Sequence, residues 1–545
     1  MRGFALKVTW PVLGVAIAAL LFALPGRSAI APRIQADNNY IYLAADRLLA
    51  GQGLTSLLPL APVQPWEWQA DWAFLTQWPM GYPVLLCAIR LLVGCTTVQA
   101  GQIVAVLSCA AAVVAWFAWA RRVLPRGTAA TMLGAVAAGS AVSTEALINP
   151  QTDTIVVALL PLVLLAVHGA STQRRAQGFW LIAAGLFAGL LCWIRYAAIY
   201  VPLAGGLFLI AEWIVRRRVR FRSVAAFAAG AALPVLALVV VNRVYGSAVP
   251  VQMQYNLGSR IGFAMDPTVP VTVWWRFTEF PFYNYYRYSH WLFATIVPLG
   301  AVGVVCVRSS WRRAARSFAA SPGYVLSVCV VGSLFLLLIG VSEFCRSKHS
   351  YVTIDRYYLA VRPLYFLLFL GPLLALPTRS VRAMACLPLL LCLSWYVQVE
   401  WPRPYKRWLA AQRPFTEYGR WAVCFEPGGN GLYRWLRERN VPDLIVCSNF
   451  HDEIAVETWL PACPLPVDEQ QLARWVERIR DARDIDEPKV LFVLDPSNHT
   501  RDYYLPPPQD VIARFALTPC RTAPETIRPY VFEYAPRAAR LAAVR

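Results

Sequence analysis

From about residue 10 to residue 400 the chain alternates long apolar runs with brief polar interruptions, most of them arginine-rich. Apolar stretches of about 20 residues have the length a helix needs to cross the hydrocarbon core of a bilayer. The pattern predicts spans at 10–24, 98–120, 127–146, 152–169, 179–194, 196–214, 223–245, 288–307, 323–342, 357–377 and 383–400, about eleven in all. The first run follows Arg2 and Lys7 and precedes Ala29-Ile30-Ala31, which leaves both a retained anchor and a cleaved signal peptide open. Either way residues 28–80, polar and tryptophan-rich, lie outside. The stretch 81–94 is apolar but short and carries Arg90, so it reads as a helix on the membrane surface or re-entering it.

Beyond residue 401 the period changes. Strand-like DLIVCS (443–448) and KVLFVLD (489–495) alternate with helix-like 428–440 and 467–483, the pattern of a small α/β unit. The expected architecture is a polytopic α-helical membrane protein with a C-terminal extracytoplasmic α/β domain. Its parts are a multi-span region 1–401 with the outer loop 28–80, and a soluble region 402–545.

Composition agrees. Of 545 residues, 58% are hydrophobic and 15% charged, against about 25% charged in an ordinary globular protein. The net charge of +20 raises the question of nucleic acid, but its layout points to membrane lipids as the partner. The arginines cluster between apolar runs: Arg121, Arg122 and Arg126; Arg174 and Arg175; Arg216, Arg217, Arg218, Arg220 and Arg222; Arg308, Arg312, Arg313 and Arg316; Arg379 and Arg382. On the spans above, all of these fall on one side, in loops that hold no acid. That is the positive-inside bias of a cell-membrane protein. Counting 81–94 as a full span would invert every later loop. The outer face then holds residues 28–80, the turn 149–153, the loops 246–287 and 343–356, and everything after 400. Thirteen cysteines include no CxxC pair, which gives no zinc or redox signature. Cys424, Cys447, Cys463 and Cys520 would lie in an oxidising compartment, where one or two disulfides are expected and three pairings are open.

Carboxylates at a membrane border are costly unless solvated, paired or used. Asp37 precedes a helix-like stretch from Asn39, with Tyr40, Leu43 and Arg47 on one face and Gly51 and Gly53 closing it. Asp153 starts the run after NPQT. Each fits a helix cap or an acid in a shared cavity. Arg195 with Tyr196, and Arg356 with Tyr357, sit at outer ends of spans, the latter after Arg346, Lys348 and His349. Cations there oppose the positive-inside trend, and an anionic lipid phosphate would reward them. The aromatic stretch 274–291 fits an interfacial belt or a surface that stacks on sugars.

Asp37 opening D-x-x-x-Y-x-x-x-A-x-x-L-L-x-G-x-G, QWPMGYP (77–83), NPQTD (149–153) and RYYLAVRPLYFLLFL (356–370) stand in order along the chain. Together they resemble the GT-C glycosyltransferases, in the branch of protein O-mannosyltransferases and the lipid A aminoarabinose transferase. Two departures matter. Asn38 stands where many members have a second acid. QWPMGYP also lacks the basic residue found before the prolines in the aminoarabinose enzymes, which argues against that sugar.

The resemblance implies an integral-membrane transferase that takes a sugar from a polyprenyl-phosphate donor on the extracytoplasmic face. Asp37 would be the general base and Asp153 a second acid. Charge placement adds Arg195, Arg356, Lys348 and Arg346 as the donor-phosphate set, and Tyr40, Tyr82, Tyr196 and Tyr357 as sugar or lipid contacts. Direct displacement inverts the anomeric centre. No cofactor is required on this reading, since guanidinium groups can stabilise the leaving phosphate. Glu145, Glu279 and Glu343 keep a divalent metal open. The acceptor, whether lipid, glycan or protein, is unspecified. The alternatives are a polytopic lipid or solute transporter, a polysaccharide polymerase or ligase, and a membrane-anchored binding or assembly protein whose terminal domain does the work.

Overall fold

The computed structural model describes residues 36–61, 67–76, 78–125, 127, 133–134, 152–173, 176–245, 268–279, 295–345, 355–376, 431–439, 443–448, 454, 458, 460, 462–463, 465–466, 468–483, 489–494, 508–525 and 527–534. The sequence-predicted spans 10–24 and 383–400, and nearly all of 127–146, lie outside them.

In chain order the elements begin with α1 (Ala36–Leu49), β1 (Thr55–Ala61), β2 (Glu67–Phe74), α2 (Gly81–Val93), α3 (Thr97–Val123), α4 (Thr152–Thr172) and α5 (Gln177–Ile194). A 3-10 turn (Tyr196–Ile199) leads into α6 (Tyr200–Ile214), followed by α7 (Phe221–Tyr245), α8 (Thr268–Glu279), α9 (Val297–Val307), α10 (Ser309–Ala319) and α11 (Pro322–Cys345). A second 3-10 turn (Asp355–Tyr358) precedes α12 (Arg362–Leu374). The remainder is α13 (Gly431–Glu438), β3 (Leu444–Ser448), β4 (Ala462–Cys463), α14 (Glu469–Arg483), β5 (Lys489–Val493), α15 (Pro508–Phe515), β6 (Thr518–Pro519) and β7 (Val531–Glu533). The chain divides into two units. One holds Met1–Ala29, Thr76–Leu85 and Val93–Tyr405, and the other Ile30–Leu75, Leu86–Leu92 and Lys406–Arg545.

In the first unit, six helical stretches among the described residues are long and apolar enough to cross a membrane: Thr97–Val123, Thr152–Thr172, Gln177–Ile194, Tyr196–Ile214, Phe221–Tyr245 and Pro322–Gly340. Local chemistry sets several of their ends. α3 starts at a capping box, in which the Thr96 hydroxyl accepts from the Gln99 amide while the Gln99 side chain accepts from Thr96 N–H; two orphan donors are thus satisfied reciprocally. α12 begins at Arg362-Pro363, because proline is favoured in the first turn and disfavours helix before it. The sequence expectation of one continuous span at 357–377 therefore resolves into a 3-10 turn and a helix of 13 residues.

The tightest packing is between α5 and α7. A Cβ on Gly185 would stand 2.2 Å from the Phe227 carbonyl oxygen, one on Gly189 2.4 Å from that of Ala231, and one on Gly230 2.2 Å from that of Ile182. Small residues four apart let two backbones meet where lipid supplies no hydrophobic drive. On α7, Leu233, Leu236, Val240 and Val244 stay exposed along one stripe, as a face turned to hydrocarbon should.

Two segments differ from the loops read in the sequence. Within 246–287, residues Thr268–Glu279 form α8, whose Val273 and Phe277 are buried. Trp274 packs edge-on against Phe369, and Phe277 against Phe335 and Tyr365. Trp274 and Phe277 thus pack onto the helical core, Val273 and Phe277 sharing one helix face at i and i+4; the rest of the aromatic stretch, 280–291, lies outside the described residues. The arginine cluster 308–316 lies on α10, with Ala315 and Phe318 buried and Arg312, Arg313 and Arg316 exposed.

In the second unit, α1 ends at Gly51 and Gly53, which take φ of +75° and +76°, a region glycine enters without steric cost. The antiparallel β1–β2 hairpin follows. It is tied to α1 by Arg47 Nε donating to Thr55 Oγ1 at 2.7 Å and by Ser56 Oγ donating to the Tyr40 carbonyl at 2.9 Å. Arg90 forms an ion pair with Asp46, and the Cys87 thiol donates to the Ala45 carbonyl. Arg90, odd in an apolar helix, thus has its counter-charge on α1. A five-stranded mixed sheet in order β4-β3-β5-β7-β6 carries parallel β4/β3 and β3/β5 pairs and antiparallel β5/β7 and β7/β6 pairs.

The α5–α7 contact makes a direct prediction. Gly230→Val drives a branched side chain into the Ile182 carbonyl and should cost about 1–3 kcal/mol, lowering the unfolding midpoint in detergent. Gly206→Ala on α6, where nothing lies within 4 Å of the added carbon, should leave the midpoint unchanged. Equal midpoints for the two variants would refute the backbone contact.

Candidate functional site

The polar centre of the first unit is built at the end of α5. Arg195 leaves the helix in an extended conformation (φ −154°, ψ 124°), which turns its side chain back across the first turn of α4. There it forms an ion pair with Asp153, and its Nη1 also donates to Thr152 Oγ1 at 3.1 Å. The Arg195 side chain is 14% exposed and that of Asp153 is 6%. Both charges are removed from solvent, where an opposite partner must offset desolvation.

The Arg195 guanidinium carbon stands 4.8 Å over the centre of the Tyr357 ring, a cation–π contact. Both hydrogen bonds of Arg195 leave from Nη1. Among the described residues, no hydrogen bond uses its Nε or Nη2.

A second chain of contacts lies beside it. Asn242 Nδ2 donates to Tyr196 Oη at 3.0 Å, and Tyr196 Oη donates to the Thr76 carbonyl at 3.0 Å. The Asn242 Oδ1 and the Tyr200 hydroxyl are buried without a hydrogen-bond partner among the described residues. Tyr200 also lies within electrostatic reach of both Arg195 and Asp153. Buried polar atoms normally find partners; of these two, the Tyr200 hydroxyl is the one in reach of the Arg195 guanidinium, whose Nε and Nη2 edge is open.

The QWPMGYP segment has a structural role here. A Cβ on Gly81 would stand 2.5 Å from the Trp193 carbonyl oxygen, so glycine lets α2 start directly against the end of α5. The adjacent Tyr82 is fully buried. Trp193 is held from the other side, its indole donating to the Pro234 carbonyl at 2.7 Å.

The sequence-predicted residues divide accordingly. Asp153, Arg195 and Tyr357 come together, while Tyr196, next to Arg195 in the chain, bonds Asn242 and the Thr76 carbonyl. Tyr82 is in the same unit, buried on α2. Arg356 stands in the Asp355–Tyr358 turn beside Tyr357, and Asp37 in the first described turn of α1; the side chains of these two lie outside the described part. Tyr40 is half-buried on α1 in the second unit. Arg346 and Lys348, with Glu145, lie outside the described residues.

Sequence reasoning missed Thr152, Thr76, Tyr200 and Asn242. It also missed Arg362, a cation only 7% exposed at the start of an apolar helix. An asparagine in the last turn of an apolar span and an arginine inside RYYLAVRP are readable signals of buried polar sites. Thr76 acts through its backbone, which no side-chain pattern reveals. Among the described residues, no group of three or more His, Cys, Asp or Glu is placed to hold a metal ion.

Residues 78–245 match the family model of the dolichyl-phosphate-mannose-protein mannosyltransferases. Apo ArnT from Cupriavidus metallidurans superimposes with a TM-score of 0.51 at 13% identity, over 97% of this chain and 98% of its own. The fold is of the GT-C type. ArnT from the same organism bound to undecaprenyl phosphate aligns at TM-score 0.46 and 12% identity, over 96% of this chain and 97% of its own. The apo oligosaccharyltransferase of Archaeoglobus fulgidus aligns at TM-score 0.49 and 10% identity, over 89% of this chain and 70% of its own. Comparison with curated proteins gives no match.

The GT-C resemblance read from the sequence therefore holds, and the chain is mannosyltransferase-like in residues 78–245. That segment carries Gly81, Asp153, Arg195, Tyr196, Tyr200 and Asn242, nearly the whole polar cluster.

Removing one member of the buried pair strands the other. Asp153→Asn and Arg195→Gln should each destabilise this GT-C-type protein by roughly 3–5 kcal/mol, while the double variant recovers most of that loss. Thermal unfolding of the purified set in one detergent measures it. Strictly additive losses would show that the two side chains do not act as a pair.

Proposed function

We propose that this protein is an integral-membrane glycosyltransferase that moves a sugar from a polyprenyl-phosphate-linked donor to an acceptor on the extracytoplasmic face, with inversion. The observation that carries the reading is the Arg195 guanidinium, buried, fixed by Asp153 and Tyr357 through Nη1 and its π face, with Nε and Nη2 open. It lies within a segment that matches a family whose description names a dolichyl-phosphate-mannose donor. The open edge of a guanidinium is the geometry that grips a phosphate through paired, charge-assisted bonds.

In this scheme Asp37 is the general base. Its carboxylate takes the proton of the acceptor hydroxyl as the oxygen attacks the anomeric carbon. The bond to the lipid phosphate breaks on the opposite side, and the phosphate leaves with its charge stabilised by guanidinium groups. Arg195 is the first of these, with Arg356, Arg346 and Lys348 as further candidates. Asp153 acts through Arg195 as a positioning residue, holding the guanidinium at one angle. Tyr40, Tyr82, Tyr196 and Tyr357 remain proposals for sugar or lipid contacts. A phosphate monoester is a competent leaving group, so the scheme needs no obligatory metal. The outer-face assignment rests on the arginine layout, because every loop assigned to the other side is basic and free of acids.

The test is transfer in membrane vesicles supplied with a panel of labelled polyprenyl-phosphate sugars. Asp37→Asn, at equal abundance in the membrane, should lose about 100-fold or more in rate, and full activity in that variant would remove Asp37 from the base role. Chelation with EDTA should leave wild-type transfer intact; loss restored by one divalent ion would replace the metal-free scheme.

The paired arginine makes a separate prediction. Asp153→Asn/Arg195→Gln regains stability but should stay inactive, because a neutral amide cannot hold the leaving phosphate. Recovery of transfer along with stability would reduce Arg195 to a structural part.

A further inference from the structure

We propose that Cys447 and Cys463 form a disulfide bond that staples the edge strand β4 to β3. The two residues are register partners on adjacent parallel strands, Val446 opposite Ala462 and Cys447 opposite Cys463. Residues directly opposite on neighbouring strands project to the same face of a sheet. Neighbouring strands lie about 4.8 Å apart, inside the roughly 4.4–6.8 Å between Cα atoms that a disulfide requires.

The same sheet excludes the pairings with Cys520. That residue follows β6 and is hydrogen-bonded to Val531 of β7, at the far edge of the order β4-β3-β5-β7-β6. Three strand spacings, about 14 Å, separate β3 from β6, and four, about 19 Å, separate β4 from β6. Both exceed the limit of about 7 Å beyond which two cysteines cannot be bridged without moving backbone. The Cys520 thiol is otherwise engaged, donating to Glu533 Oε1 at 3.0 Å and lying 3.2 Å from Thr522 Oγ1.

The bond rests on the proposed placement of the terminal region outside the membrane, where a protein disulfide donor of the thioredoxin-like class supplies the oxidant. Each cysteine gives up one thiol hydrogen. The Cys447–Cys463 sulfur–sulfur bond forms as the donor's own disulfide is reduced to two thiols. Both residues are buried in the folded sheet, where the structure holds each as a reduced thiol. Burial, and next the neighbouring Cys463 thiol, also hold the Cys447 thiol well above its ordinary range. The exchange therefore belongs to folding, before the sheet closes.

β4 is only two residues long, and a covalent link to a fully buried neighbour fixes a strand that two ladder positions alone would hold weakly.

The test uses the full chain in native membranes, with alkaline phosphatase fused after Arg545 as a reporter that is active only in an oxidising compartment. Membranes are dissolved in denaturant without reductant, free thiols are alkylated, and the digest is read by mass spectrometry. The expected result is an active fusion, a linked Cys447–Cys463 peptide, and alkylation of both only after reduction. Cys463→Ala should free exactly one further thiol, and Cys520→Ser should leave the link untouched. An active fusion with both thiols alkylated at once, or with Cys447 linked to Cys424, overturns the pairing while leaving the outward placement standing. An inactive fusion overturns the placement and the disulfide with it.

Discussion

The backbone contact between α5 and α7 fixes where the chemistry of the first unit can be. Three glycines bring these helices together closely enough that any side chain would strike a carbonyl oxygen. A helix held that way cannot rotate or slide by a fraction of a turn, because each glycine faces one specific carbonyl of its neighbour. α5 then ends at a set height, with Trp193 anchored to Pro234 on one side and met by Gly81 on the other. Arg195 is two residues further on. Its guanidinium reaches Asp153 on α4 and Tyr357 because the helix that carries it is clamped along its length. The glycines touch neither charge of the pair, yet they fix the helix from which Arg195 reaches it.

The buried pair itself is a compromise between two costs. An isolated guanidinium or carboxylate away from water is expensive, and their mutual attraction offsets that only when geometry is good and the remaining hydrogen-bonding groups are satisfied. Here Nη1 is satisfied and the π face is covered by Tyr357, while Nε and Nη2 are not engaged. Burial for stability alone would favour closing that edge as well. On the proposed reading, a site that binds an anion leaves part of its cation unsatisfied until the ligand arrives, and the Tyr200 hydroxyl in reach of Arg195 shares that condition. On that reading the cluster gives up some stability in exchange for a prepared ligand set, the usual relation between under-satisfied groups and function.

The class of protein was legible because one-dimensional periodicity carries it. Apolar runs, their basic connections and the ordered motifs from Asp37 to Arg362 all survive in the sequence without tertiary information. Three things did not. Helix ends depend on local stereochemistry, so Pro363 cut a predicted span into a turn and a short helix. α8 was hidden because its aromatic residues looked like an interfacial belt, and only the contacts of Trp274 and Phe277 identify them as core. The Arg195–Asp153 pair joins residues 42 apart, and charge counting records the sign of each residue without showing which partner cancels it.

That last point changes the meaning of Arg195. The sequence argument held that a cation opposing the positive-inside trend needs a reward, and it supplied a lipid phosphate. Asp153 already supplies a counter-charge, so the pair is neutral overall and adds no net positive charge at that end of α5. Topology therefore no longer requires an anionic ligand. The case for one now rests on geometry, on an uncommitted guanidinium edge with the unsatisfied Tyr200 hydroxyl in reach of it. This is a more demanding basis than charge alone. An ordinary lipid headgroup would answer to any exposed cation, whereas the proposed donor, a phosphate-linked sugar, brings an anion and hydrogen-bonding hydroxyls together and could meet both the guanidinium edge and the Tyr200 hydroxyl.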